Sequence, residues 1–237
     1  MQKRFGAALP DWVPPPLPGP EEMAGVYVQL ERLDADAHAH GLFRANAADE
    51  AIWDYLPYGP FASEPGYIRW VREMAARDDP MFYALRDRDS GQLGGVMSYL
   101  RIAPEMGTIE LGHINLAPRL QRTAAATEAM VLMIAWAFEA GYRRFEWKCD
   151  ALNLPSRRAA QRLGLSYEGT FRQAAVVKGR NRDTAWFAAT DGDWPGLRSA
   201  YEAWLAPSNF DENGRQIERL GDLTRLVRVA SDPAQQA

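Results

Sequence analysis

Thr108-Ile109-Glu110-Leu111-Gly112-His113-Ile114-Asn115-Leu116, then Gln121-Arg122-Thr123-Ala124-Ala125-Ala126-Thr127-Glu128-Ala129, is the stretch on which the reading of this chain turns. The first segment half alternates between apolar and polar residues and is stopped by Ala117-Pro118, as a strand is. After the second, Ala129, Leu132, Met133, Trp136 and Ala137 recur at helical spacing, and Gly141 stands where a helix commonly ends in a left-handed residue. The small residues between them open the helix. A helix start leaves its first N–H groups without intrahelical acceptors and carries the positive end of the dipole, so such a turn can cradle a phosphate.

Upstream, residues 1–20 contain six prolines, at positions 10, 14, 15, 16, 18 and 20, and read as an extended arm. Trp12, Val13 and Leu17 would dock it on the body or on a second subunit, giving a homodimer. Val26, Val28 and Leu30 alternate as a strand, and Asp34 is placed to cap a helix reaching about Asn46. The aromatic run Trp53 to Phe61 is broken by Pro57, Gly59 and Pro60, so it reads as a loop that either lines an acceptor pocket or anchors itself on the body. Ser63 begins a helix to about Ala76 with Pro65 in its first turn. Met81 to Leu85 and Gln92 to Ile102 form a hairpin around Asp87–Gly91.

Downstream, Arg144 to Cys149 is a strand, Asn153 or Ser156 starts a short helix closing at Gly164, and Ser166 to Lys178 and Thr184 to Ala189 are strands across a turn at Gly179–Arg182. Pro195 opens a last helix. Residues 21–206 form the domain and 207–237 a wrapping or partly disordered tail. The element order predicts an α/β fold with a mixed sheet.

The chain has 237 residues, 47% of them hydrophobic, enough for a full core. A net charge of −4 argues against a nucleic-acid or anionic-membrane partner. A local basic segment, including Arg143, Arg144, Lys148, Arg157, Arg158, Arg162, Arg172, Lys178, Arg180 and Arg182, suits either a polyanionic ligand or a solvated face. The single cysteine, Cys149, excludes an intrachain disulfide and reads as a buried apolar residue. No apolar run approaches the ~20 residues of a membrane span. A cytoplasmic protein without a metal centre is expected.

Gln121-x-x-Ala124-x-Ala126 resembles the Gln/Arg-x-x-Gly-x-Gly/Ala turn of the GCN5-related N-acetyltransferases (GNAT). Arg143-Arg144-Phe145-x-x-Lys148-Cys149, Asn153-x-x-Ser156, Leu163-Gly164-Leu165 and Glu168-Gly169-x-Phe171-Arg172-Gln173 resemble the second half of the ribosomal-protein N-terminal (RimJ/RimL-like) subgroup. The likeness extends from about Val26 to Thr190. It implies a GNAT fold whose mixed central sheet, flanked by helices, is splayed between its fourth and fifth strands, matching Ile109–Leu116 and Arg144–Cys149.

The resemblance further implies acetyl-coenzyme A as co-substrate and a primary amine, on a small molecule or a protein N-terminus, as acceptor. The backbone of Ile114, Asn115 and Leu116 would pair with the pantetheine, with the Leu116 N–H at the thioester oxygen. The amides of Arg122, Thr123, Ala124, Ala125 and Ala126 would take the pyrophosphate, helped by the side chains of Gln121 and Arg122. Ala124 stands where the family has glycine, a position that strains if its φ must be positive. Asn153 would contact the pantetheine and Ser156 protonate the leaving thiolate, although either residue also suits a helix N-cap. The subgroup's acidic base falls on Ala175, so Glu110, His113 and Glu146 are substitutes, with water as a further route for the proton. A non-catalytic acyl-coenzyme A sensor or scaffold is the competing reading.

Overall fold

Met81 to Leu85 is buried at every position, because helices pack on both sides of this strand. Met81, Tyr83 and Leu85 belong to one apolar cluster, while Phe82 and Ala84 belong to another. A strand covered on both faces cannot alternate. This computed structural model describes residues 4–235, so the first three residues of the arm and the last two of the tail lie outside the described residues.

Eight strands form one sheet: β1 (Glu22–Ala24), β2 (Val28–Arg32), β3 (Met81–Asp87), β4 (Leu93–Ala103), β5 (Thr108–Leu116), β6 (Arg144–Asp150), β7 (Ser166–Val177) and β8 (Arg180–Thr190). Their order is β1-β2-β3-β4-β5-β6-β8-β7. The β5–β6 pair is parallel and its neighbours are antiparallel. The short β1 has no counterpart in the strand order expected from the sequence, and it makes the pair expected to part the fifth and sixth strands instead of the fourth and fifth.

On one face lie α3 (Ala124–Glu139), α4 (Leu154–Arg162) and α5 (Trp194–Leu205), packed through Met133, Ile134, Ala160, Leu197 and Tyr201. On the other, α1 (Ala35–Asn46) and α2 (Glu64–Ala75) cover β3 and β4 through Leu42, Tyr67, Trp70 and Val71. β5, β6 and β8 add nothing to that second cluster. Their helix-free face carries Glu110, Glu146, Lys148 and Trp186 instead.

The helix starts follow their capping residues. Asp34 accepts from the Ala37 N–H at 2.7 Å, and Asn153 from the Ser156 N–H at 3.1 Å. Ser63 holds the cap position of α2 without a side-chain cap bond. The β7–β8 turn is tighter than its sequence suggests. Val177 pairs with Arg180, and Lys178 and Gly179 alone make the turn, with φ of 49° and 74°. Two left-handed residues match the twist of a two-residue hairpin. Arg182 is therefore in a strand and not in the expected turn.

Both ends of the chain wrap the domain. Tyr83 and Tyr142 donate to the carbonyls of Pro20 and Pro16, and Trp12 lies against Gly107, while Val13 and Leu17 face outward. In the tail, Asp232 is fully buried and takes a bidentate pair from Arg157 of α4 at 2.8 and 2.5 Å. Its own N–H reaches the Gln161 side chain. A buried carboxylate persists only with such partners.

Candidate active site

β5 and β6 pair from Thr108↔Arg144 to Leu111↔Trp147 and no further. β5 continues to Leu116 and β6 to Asp150, so the strands part over their last residues. The cause lies on the other edge of β5. The β4–β5 register slips between Val96 and Ser98, and His113 takes a φ of 51°. An extra residue bulges and bends the strand away from β6.

Past the bulge, the Ala117 N–H donates to the Gly94 carbonyl at 2.8 Å, toward β4. Backbone groups alternate in direction along a strand. The Leu116 and Ile114 N–H groups therefore face the opened edge. The Gln121 side chain closes on the Leu116 carbonyl at 2.9 Å and so clasps the strand end to the following turn.

In that turn Arg122, with a φ of 62°, supplies the left-handed residue. Ala124 is the first residue of α3, so the substitution of glycine by alanine carries no strain here. Thr123 caps the helix, donating its hydroxyl to the Leu120 carbonyl and accepting the Ala126 N–H at 3.1 Å. The first intrahelical acceptor is the Thr123 carbonyl, taken by Thr127. The Ala126 amide is thus partly spent inside the turn, and those of Ala124 and Ala125 precede every helical acceptor. Glu128 fixes this helix end from behind, accepting from Val26, Tyr27 and Val28 at 2.8, 2.6 and 2.9 Å. Gly25 is required there, since a Cβ would lie 2.2 Å from the Glu128 carboxyl.

Across the opening, Ser156 sits in the first turn of α4. Its Oγ accepts from the Trp147 indole N–H at 3.0 Å, so the oxygen is held in place as an acceptor and the hydroxyl keeps one proton to donate. Cys149 is buried beside it, and burial pushes its thiol up to about 11. Among the described residues no group of three His, Cys, Asp or Glu could hold a metal, and no helix is long and apolar enough to cross a membrane.

The acidic candidates are paired. Glu110 binds Arg101 at 2.6 Å and Lys148 at 2.9 Å. Glu146 binds Lys148 and Arg144 at 2.7 Å each; burial acts to raise its pKa, but these two cations outweigh it and hold the carboxyl below its ordinary value. Lys148 also lies over the Trp186 ring at 3.8 Å. Part of the basic segment is consumed in these pairs. His113 is mostly buried against Phe82 and stacks on Tyr58, whose hydroxyl lies 3.2 Å from Nδ1. Burial, reinforced by the charges of Arg101, Arg182 and Arg77, pushes its imidazole down to about 4.

The aromatic loop is chiefly an anchor. Trp53 is buried in the second cluster edge-on to Tyr67 of α2, and Tyr58 packs on Trp70 of the same helix. Two contacts carry the loop over the opening: the Tyr55 hydroxyl donates to the Leu152 carbonyl, and Lys178 to that of Trp53. Tyr58 belongs to the aromatic run and Arg182 to the basic segment, but their places at the site, like those of Trp186 and Asp232, are set by strand register and long-range packing, which leave no local mark.

A family profile described as "Acetyltransferase (GNAT) domain" matches residues 28–166. The solved structure of a GCN5-related N-acetyltransferase from Brucella melitensis is 44% identical, with a TM-score of 0.90 over 92% of this chain and all of that one. The uncharacterized N-acetyltransferase YnaD of Bacillus subtilis is 24% identical over 148 residues, 62% of this chain and 85% of its own length. RimL, the ribosomal L7/L12 alpha-N-protein acetyltransferase, covers 70% of this chain and 91% of its own with a TM-score of 0.60. At 22% identity that last likeness is one of fold alone.

Proposed function

The chain belongs to the GNAT acetyltransferase family and is an acyltransferase that works with acetyl-coenzyme A, and we propose that it acetylates a primary amine directly, with both substrates bound together. The observation that carries this reading is the parted β5–β6 edge, with the Leu116 N–H directed into it and the unpaired amides of α3 at its end.

The backbone of Ile114 to Leu116 lines the pantetheine, and Ala124 and Ala125, with Arg122 and Thr123, take the pyrophosphate at the positive end of α3. The Leu116 N–H holds the thioester oxygen as negative charge grows on it. Asn153, besides capping α4, borders the pantetheine. As the amine nitrogen bonds to the acyl carbon and the carbon–sulfur bond breaks, Ser156 gives its proton to the departing sulfur. His113, neutral at pH 7, has a lone pair available for the proton the amine sheds, whereas Glu110 would first have to leave two cations.

Thermal shift with acetyl-coenzyme A, followed by an amine panel read by released thiol, tests the proposal. Binding with turnover is expected; no shift at about 1 mM cofactor contradicts it. The ion-paired state of Glu110 and Glu146 favours a second reading, cofactor sensing without transfer, which predicts binding and no turnover with any amine.

A further inference from the structure

Resting on the acetyl-transfer reading, we propose that the acceptor is an amine carrying a carboxylate, and that Arg182 of β8 binds that carboxylate beside the opening between β5 and β6.

The two-residue turn at Lys178–Gly179 sets the register of β8, so Arg182, Thr184 and Trp186 share one sheet face. Lys148 pairs directly with Trp186, which places this face as the helix-free one bearing Glu110 and Glu146. On it, the cations are matched: Arg101 to Glu110, Lys148 to Glu110 and Glu146, and Arg144 to Glu146 and Glu168. Arg180, next to the turn, is exposed to solvent; Arg182, further in, is unmatched. Among the described residues it has no salt bridge, and its buried Nε finds no acceptor. Its cross-strand neighbour is Ala175, so no carboxylate stands opposite.

The acids near it in sequence or space are engaged elsewhere. Asp183 accepts from Gln173 and Asn181, Asp150 from Leu152, and Asp79 from Arg101 and Ile102. The Trp186 indole N–H, on the same face, is buried without an acceptor as well. Partly buried donors left unmatched cost free energy until an acceptor arrives. A guanidinium fork fits the two oxygens of a carboxylate in a single plane. The last β6–β8 pair is Asp150↔Thr184, so Arg182, two residues further along β8, stands just past the end of β6, at the open end of the parted strands. An amine held near His113 with a carboxylate toward Arg182 describes an amino acid or a close derivative. An uncharged amine leaves the arginine unanswered.

The test uses matched pairs of amines: amino acids with aromatic, aliphatic and polar side chains, each beside its decarboxylated amine and its amide. Released coenzyme A thiol is followed with the full-length protein and with Arg182→Ala and Arg182→Lys. The expected result is a preference for the carboxylate-bearing member of about 10- to 100-fold in kcat/KM, expressed chiefly in KM. Arg182→Ala should remove most of that ratio, and Arg182→Lys, which keeps the charge, should retain part. Turnover of the uncharged partners at equal or higher efficiency overturns the inference and leaves acetyl transfer standing. So does an Arg182→Ala variant that slows both members alike. Cofactor binding with no turnover of any amine overturns both.

Discussion

The two sides of the parted strands are built from different materials. On the cofactor side the functional groups are backbone amides, those of Ile114 and Leu116 on β5 and of Ala124 and Ala125 at the start of α3. On the acceptor side they are side chains from four separate places: Tyr58 in a loop, Glu110 and His113 on β5, Lys148 on β6, and Arg182 and Trp186 on β8. A backbone site tolerates changes of side chain so long as the path of the chain is held. A site of converging side chains is set by each of them, and so can differ between proteins of one fold.

Four substitutions or conditions sharpen that contrast, beginning with the largest effect. Asp232→Ala leaves the Arg157 guanidinium buried and unpaired behind α4, and unfolding experiments should show a loss of about 3–5 kcal/mol. Arg157 also donates to the Ala151 carbonyl, in the loop just before Asn153, so the surviving folded protein should bind acetyl-coenzyme A more weakly while its acceptor KM holds.

The next effect belongs to the acceptor side. A histidine whose pKa is depressed in the folded state stabilises the fold fully above its unfolded pKa of about 6.5 and loses that contribution as pH falls toward 4. The loss is of order 3 kcal/mol between those pH values, and His113→Gln should flatten the stability curve there without moving cofactor affinity.

Ser156→Ala should lower kcat about 100-fold with little change in cofactor affinity, and amine-independent binding of acetyl-coenzyme A should persist. Unchanged turnover removes Ser156 as the proton donor. The smallest effect is that of Gln121→Ala. Losing the clasp on the Leu116 carbonyl should weaken cofactor binding by about 1 kcal/mol, measured by calorimetry.

The same contrast explains what could be read from the sequence. The helix start at Thr123 and Ala124, the Asn153 cap and the strand Thr108–Leu116 are local: spacing and small residues announce them. The mixed α/β sheet follows from the alternation of such elements. The acceptor side depends on register. Whether Arg182 lies in a turn or on a sheet face is decided by which two residues of Lys178-Gly179-Arg180-Asn181 adopt positive φ, and the sequence favours Gly179 without naming its partner. The bulge at His113 is equally hidden, because a histidine with left-handed backbone has no sequence mark of its own. The Arg157–Asp232 pair joins residues 75 apart, beyond any local pattern.

The claim at the centre is that the opened edge of β5 and the first turn of α3 hold the cofactor through backbone N–H groups. Amide hydrogen exchange followed by NMR, with and without acetyl-coenzyme A, addresses it residue by residue. Slowed exchange at Ile114, Leu116, Ala124 and Ala125 on adding the cofactor is the predicted result. Cofactor binding that leaves those four amides unprotected, with protection appearing elsewhere, would contradict it.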